Sequence, residues 1–143
     1  MAQTMEVQVQ QVGPTTSQGT ARSHKVLVDR PQAKGGADRG PLGGELLLVS
    51  LGGCFMSNLL AAIRAREAAI SAVHVVVAGT LGGSPERFEA IAMKVAAEAG
   101  DLDLLAKLVT VAERACIVTN TLRQAVPISI SVEDSRGQVA LPS

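Results

Sequence analysis

Apolar and polar positions change their period several times along the chain, and each change marks an element. Met5, Val7 and Val9 alternate with Glu6, Gln8 and Gln10, the two-residue period of a half-buried strand. Gly13-Pro14 signals a turn, and His24 to Asp29 reads as a further strand closed by Pro31. Pro31 to Gly44 carries two prolines and five glycines and is predicted to be a loop. Glu45 to about Ala68 is predicted to be one long helix. Val73 to Leu81, the turn Gly82-Gly83-Ser84-Pro85 and Arg87 to Ala99 form a hairpin pattern. Asp101 is placed to cap a helix in which Leu105, Val109, Ala112 and Cys116 share one face. Thr119 to Gln124 adds a helical turn, and Ile128, Ile130 and Val132 alternate with serines in a final strand.

The predicted order is N-terminal strands over about 5–30, a central helix over about 45–68, a hairpin over about 73–99, a helix over about 101–116, a last strand over about 126–133 and a loose tail over 134–143. Strands and helices in that order predict an α+β fold in a single domain, 1–143, not the regular alternation of a doubly wound sheet.

The central helix is the unusual element. Leu46 to Ile63 is uncharged for 18 residues, the lower limit for a membrane span. It contains Ser50, Gly52, Gly53, Ser57 and Asn58 and lacks aromatic or lysine flanks, so it reads as a buried helix. A helix without a polar face belongs inside something. Gly52 and Gly53 each weaken it by about 1 kcal/mol relative to Ala. Close approach by another backbone or a ligand, a kink, or tight packing would each account for them.

Composition narrows the functions available. The 143 residues include 13 Lys plus Arg and 13 Asp plus Glu, so there is no basic excess to bind phosphates. Aromatics are 1% of the chain, which leaves no row of rings for stacking bases. Nucleic acid is excluded as the expected partner. The apolar share of 47% on a chain this short points to faces covered by a second copy. The opening Met-Ala-Gln-Thr-Met-Glu is not a basic leader followed by an apolar run, and the expected location is cytoplasmic.

Little conventional site chemistry is present. No Cys-x-x-Cys or His-x-x-x-His spacing occurs, so neither a metal nor a cofactor is expected. His24 and His74 lie in strand patterns and read as structural. There is no Gly-x-Ser-x-Gly elbow and no phosphate-binding loop. Cys54 and Cys116 remain. By composition alone they read as small buried hydrophobes.

Two motifs change that reading. Gly35-Gly-Ala-Asp-Arg-Gly-Pro41 followed by Glu45-Leu-Leu-Leu-Val-Ser-Leu-Gly-Gly-Cys54 resembles the OsmC/Ohr family, as does Ala112-Glu-Arg-Ala-Cys116-Ile-Val-Thr-Asn-Thr-Leu122. The resemblance runs from about Glu6 to Glu133. It implies an intertwined homodimer with long central helices inside and antiparallel sheets outside. It also implies a thiol-dependent peroxidase that reduces organic hydroperoxides or hydrogen peroxide in oxidative stress defence.

Carried over by residue, the resemblance implies that Cys54 is the peroxidatic cysteine and Cys116 the resolving one. Cys54 would become a sulfenic acid and then a Cys54–Cys116 disulfide, restored by an external dithiol. An arginine that holds the thiolate is implied as well; Arg30 or Arg39 is the candidate, with Arg22 behind them. The best-defined peroxidase branches carry a Glu ten residues before the cysteine, where this chain has Gly44. Glu45 is the remaining acid. On an ideal helix nine residues turn about 900°, which puts Glu45 opposite Cys54: it is a catalytic candidate if the helix begins irregularly or the contact crosses to the partner chain, and otherwise a first-turn acid favoured by the helix dipole. Leu51, Phe55 and Met56 are expected to wall an apolar substrate pocket. Two alternatives accompany this reading: a non-catalytic OsmC-like protein that binds a small hydrophobic ligand at the dimer cleft, and a redox sensor.

Overall fold

The computed structural model describes residues 2–141, and the chain divides into two compact units, 1–47 and 48–143. Its class is α+β, as the order of elements predicts.

The first unit is built on a three-stranded antiparallel sheet of β1 (Gln8–Gln11), β2 (Ser17–Ala21) and β3 (His24–Val28), in that spatial order. Ser17 pairs with Val28 and Gln11 with Ser17, so β2 is the central strand. Two sequence expectations are corrected here. The alternating segment at Met5–Gln10 is not half-buried within this unit: Val7 and Val9 are 64% and 68% exposed. The strand at Ser17–Ala21 was missing from the expectation because Ser-Gln-Gly-Thr-Ala has no apolar alternation; main-chain pairing on both sides defines it.

The segment after β3 is organised by Asp29, which is buried. Its carboxylate accepts the Thr16 hydroxyl at 2.8 Å, the Arg30 N–H at 2.7 Å and the Arg39 N–H at 3.2 Å. Residues 30 and 39 are thereby tied to one acid, and the chain between them closes into a compact loop with a 3-10 turn at Gln32–Lys34. Gly36 packs directly on the Arg30 carbonyl, where an added Cβ would stand 1.9 Å from the oxygen, so no other residue fits.

α1 (Gly43–Ala65) spans the boundary between the units. It starts two residues before, and ends three residues before, the limits expected from the sequence. It is also the one helix among the described residues long and apolar enough to cross a membrane. Within the second unit its Leu51, Phe55, Leu59 and Ile63, at steps of four, form a buried stripe. That stripe packs against a four-stranded sheet of β4 (Ile70–Gly82), β5 (Arg87–Ala99), β6 (Ile128–Asp134) and β7 (Val139–Ala140), ordered β4-β5-β6-β7. β4 and β5 form the antiparallel hairpin, while β5 and β6 are parallel. A parallel pair needs a crossover, and α2 (Leu102–Ala115) with α3 (Ile117–Leu122) supplies it.

The core follows from these periods. Ile91, Met93, Val95 and Ala97 point inward from β5, Val132 from β6, and Leu105, Leu108, Val109 and Ala112 from α2. Asp101 caps α2 by accepting the Leu104 N–H at 3.0 Å. The tail expected to be loose is partly paired: Val132 and Glu133 face Ala140 and Val139 across β6 and β7. Gly52 is explained by tight packing, because a Cβ there would lie 2.9 Å from Val77 Cγ2; Gly53 has no neighbour within 4 Å of the same position. The rest of α1 stays open in the single chain, with Val49 63% and Leu60 50% exposed.

Candidate functional site

The second unit brings Cys54 and Cys116 together. Cys54 lies on α1, one helical step before buried Phe55, and is partly exposed. Cys116 is wholly buried and occupies the break between α2 and α3. The helix expected to end at Cys116 ends at Ala115, and Cys116 itself is extended, with φ −77° and ψ 110°. That break gives Cys116 two duties. Its N–H closes α2 by donating to the Glu113 carbonyl at 3.3 Å, and its Sγ accepts the Thr119 N–H at 3.4 Å as the N-cap of α3.

Cys54 packs against the core cluster that contains Cys116, and the Cys116 thiol is near enough to act on it. Burial is the largest influence on Cys54 and pushes its pKa up. The Cys116 thiol adds to the rise. The backbone N–H groups of Val118 and Ile117 act the other way, and the net direction is upward. Both sulfurs are free thiols.

Asn58 also meets this sulfur. Its Nδ2 donates to the Cys54 carbonyl oxygen at 2.9 Å and lies 3.9 Å from Cys54 Sγ. Sequence reading did not single it out, although the four-residue step from Cys54 puts both on one helix face. Beyond Cys116, the Thr119 hydroxyl is buried without a hydrogen-bond partner among the described residues.

The other expected site residues have these positions. Arg30 and Arg39 belong to the first unit, exposed, with their backbones held by Asp29. Arg22 is exposed at the β2–β3 turn with φ 58°. Glu45 also lies in the first unit, and its Oε1 accepts the Leu42 N–H at 2.8 Å, the local capping role open to a first-turn acid. The expected pocket wall is corrected. Leu51 and Phe55 are fully buried in the core and present no surface to a substrate. Met56 is half-buried, but two residues turn an ideal helix about 200°, which places it on the side away from Cys54. Among the described residues no group of three or more His, Cys, Asp or Glu side chains converges to hold a metal ion.

Two thiols in one core cluster could be closed to a disulfide by an external two-electron oxidant and reopened by an external dithiol. The comparisons with known proteins agree at the level of fold and family. The profile of the OsmC-like protein family matches residues 35–131, and the chain belongs to that family. No curated protein matches. Among solved structures, a hypothetical protein from Aquifex aeolicus is similar over 94% of this chain and 98% of its own, with a TM-score of 0.80 and 18% identity. An organic hydroperoxide resistance protein from Elizabethkingia anophelis is similar over 94% of this chain and 99% of its own, with a TM-score of 0.73 and 16% identity. The organic hydroperoxide resistance protein OhrB of Bacillus subtilis is similar over 90% and 97%, with a TM-score of 0.66 and 16% identity. At these identities the likeness is one of fold.

Proposed function

We propose that the protein is a thiol-dependent peroxidase that reduces organic hydroperoxides or hydrogen peroxide in oxidative stress defence. The observation that carries this reading is that Cys54 packs against the core cluster containing Cys116, near enough for one thiol to influence the other, although the two come from distant parts of the sequence. The organic hydroperoxide resistance proteins of the same fold support it.

The cycle is balanced with two thiols. The Cys54 thiolate attacks one peroxide oxygen, the O–O bond breaks, and the alkoxide leaves as an alcohol after taking a proton. Cys54 is then a sulfenic acid, oxidised by two electrons. The Cys116 sulfur attacks the sulfenic sulfur, the S–O bond breaks, water leaves, and the Cys54–Cys116 disulfide forms. An external dithiol reduces that disulfide by exchange and is itself oxidised. The proposal includes Arg30 or Arg39 as the cation that favours the thiolate, because burial alone opposes it. It also includes a cytoplasmic homodimer. The exposed Val49 and Leu60 on α1 support a second copy as the cover for that face.

One equivalent of cumene hydroperoxide added to the reduced protein tests the reading by intact mass spectrometry. Loss of two hydrogens and of both alkylatable thiols is the expected result. Full retention of both thiols would overturn it.

The upward direction of the Cys54 pKa favours a second reading, because a protonated thiol is a poor nucleophile. In that reading the chain is a non-catalytic OsmC-like protein that holds a small hydrophobic ligand, and the cysteines are packing residues. A folded chain whose Cys54 is inert to hydroperoxide selects it.

A further inference from the structure

The carboxamide of Asn58 stands over the sulfur that the proposed cycle oxidises, and its orientation is fixed by chemistry. The Cys54 carbonyl oxygen can only accept, so the amide nitrogen, not the amide oxygen, must face it at 2.9 Å. That bond uses one of the two Nδ2 hydrogens and locks the side chain back along α1. The second hydrogen belongs to the nitrogen that lies 3.9 Å from Cys54 Sγ. A neutral thiol is a weak acceptor, and this is a long contact. A thiolate is a much stronger one, and charge-assisted hydrogen bonds are shorter and stronger than neutral ones.

We propose that Asn58 is a catalytic residue of the Cys54 centre: its free amide N–H stabilises the Cys54 thiolate and then donates to the oxygen that the sulfur acquires. The inference rests on the peroxidase reading for its second half and on geometry alone for its first. In the first step Asn58 supplies no proton and no electron; it lowers the energy of the charged sulfur. When the O–O bond of a hydroperoxide breaks and oxygen is left on sulfur, the same N–H becomes a donor to that oxygen. Holding it there leaves the sulfur open to attack by Cys116, with water as the leaving group. Within the second unit, the titratable group facing the Cys54 sulfur from the packed elements is Cys116, joined by the Val118 and Ile117 N–H groups. Asn58 adds a side-chain donor from α1 itself.

The test is the pH profile of Cys54 alkylation by iodoacetamide, measured in the full chain carrying Cys116→Ser so that one thiol is read. Asn58→Ala and the nearly isosteric Asn58→Asp are compared with Asn58, with folding checked by circular dichroism. The expected midpoint moves up by about one pH unit in Asn58→Ala, which lowers the rate at neutral pH about tenfold, and further in Asn58→Asp, whose carboxylate repels the thiolate. The limiting rate at high pH stays the same. A residue that only packs would change stability and leave the midpoint of Asn58→Ala in place, and an unmoved midpoint in Asn58→Ala overturns the inference. Hydroperoxide consumption by the otherwise native protein separates the two claims. Moved midpoints without consumption leave Asn58 as the thiolate donor and remove the peroxidase reading. Consumption with unmoved midpoints removes Asn58 and keeps the peroxidase.

Discussion

Cys116 Sγ accepts the backbone N–H of Thr119 at 3.4 Å, so the sulfur that faces Cys54 is also the N-cap of α3. Substitutions at Cys116 therefore separate redox chemistry from capping. Serine is a good N-cap and alanine is not, a difference of about 1 kcal/mol. Cys116→Ser should unfold at a urea midpoint above that of Cys116→Ala. Excess hydroperoxide should drive Cys54 in either variant past sulfenic acid to sulfinic and sulfonic acids, read as added oxygens by mass spectrometry. Equal stabilities would remove the capping role.

The Cys54 thiol gives an alkaline prediction. Its folded pKa is raised, mainly by burial, so the native state holds the proton more tightly than the unfolded chain. The resulting stability is fully present below the ordinary cysteine pKa of about 8.5 and is lost as pH rises through the higher folded value. Urea unfolding of the reduced protein between neutral and strongly alkaline pH should show a decline that Cys54→Ala reduces. A decline of equal size in both proteins would contradict the burial of this thiol.

Asp29 gives the opposite sign at the acid end. Burial raises its pKa, but donation from Thr16, Arg39, Arg30 and Thr15 outweighs it and holds the carboxyl well below the usual carboxylate range. The stability it confers is present above the unfolded value of about 3.9 and disappears as pH falls towards the folded one. Asp29→Asn should destabilise the protein at neutral pH and flatten its acid unfolding curve. Thr16→Val, which removes the donor at 2.8 Å, should do so to a smaller extent. An unchanged acid slope in both would contradict the assignment.

The adjacent glycines of α1 should respond in opposite directions. An added Cβ at position 52 meets Val77 Cγ2 at 2.9 Å, while one at position 53 meets nothing within 4 Å. Overpacking costs about 1–3 kcal/mol, and replacing a helical glycine by alanine returns up to about 1 kcal/mol. Gly52→Ala should therefore lower the stability measured by urea unfolding, and Gly53→Ala should raise it. Loss of self-association in Gly53→Ala, measured by analytical ultracentrifugation, would mark that open position as a place where a second copy approaches.

What could be read from the sequence was what apolar periodicity encodes. The buried side of β5 is Ile91, Met93, Val95 and Ala97, every second residue, and the inner face of α2 is spaced for a helix behind a capping Asp101. β2 and β7 escaped because main-chain pairing, not side-chain pattern, defines Ser17–Ala21 and Val139–Ala140. That Cys54 and Cys116 share one core cluster was legible only through the family resemblance, since a strand pair and a helix separate them and no local rule links such positions. Leu51, Phe55 and Met56 are near Cys54 in sequence, but the helix turns the first two into the core and the third away from the sulfur. Asn58, one turn on along the same helix, does reach it.

The nearness of Cys54 to Cys116 also has a mechanical side. A bond between them would close a ring on the order of sixty residues that encloses β4, β5 and all of α2. In the chain-entropy picture, tying off a loop of that size disfavours the unfolded ensemble by about 4 kcal/mol. The oxidised intermediate would then be the most rugged form of the molecule. Each reduction would slacken the lasso, so tolerance to heat and protease would rise and fall with the state of these two sulfurs.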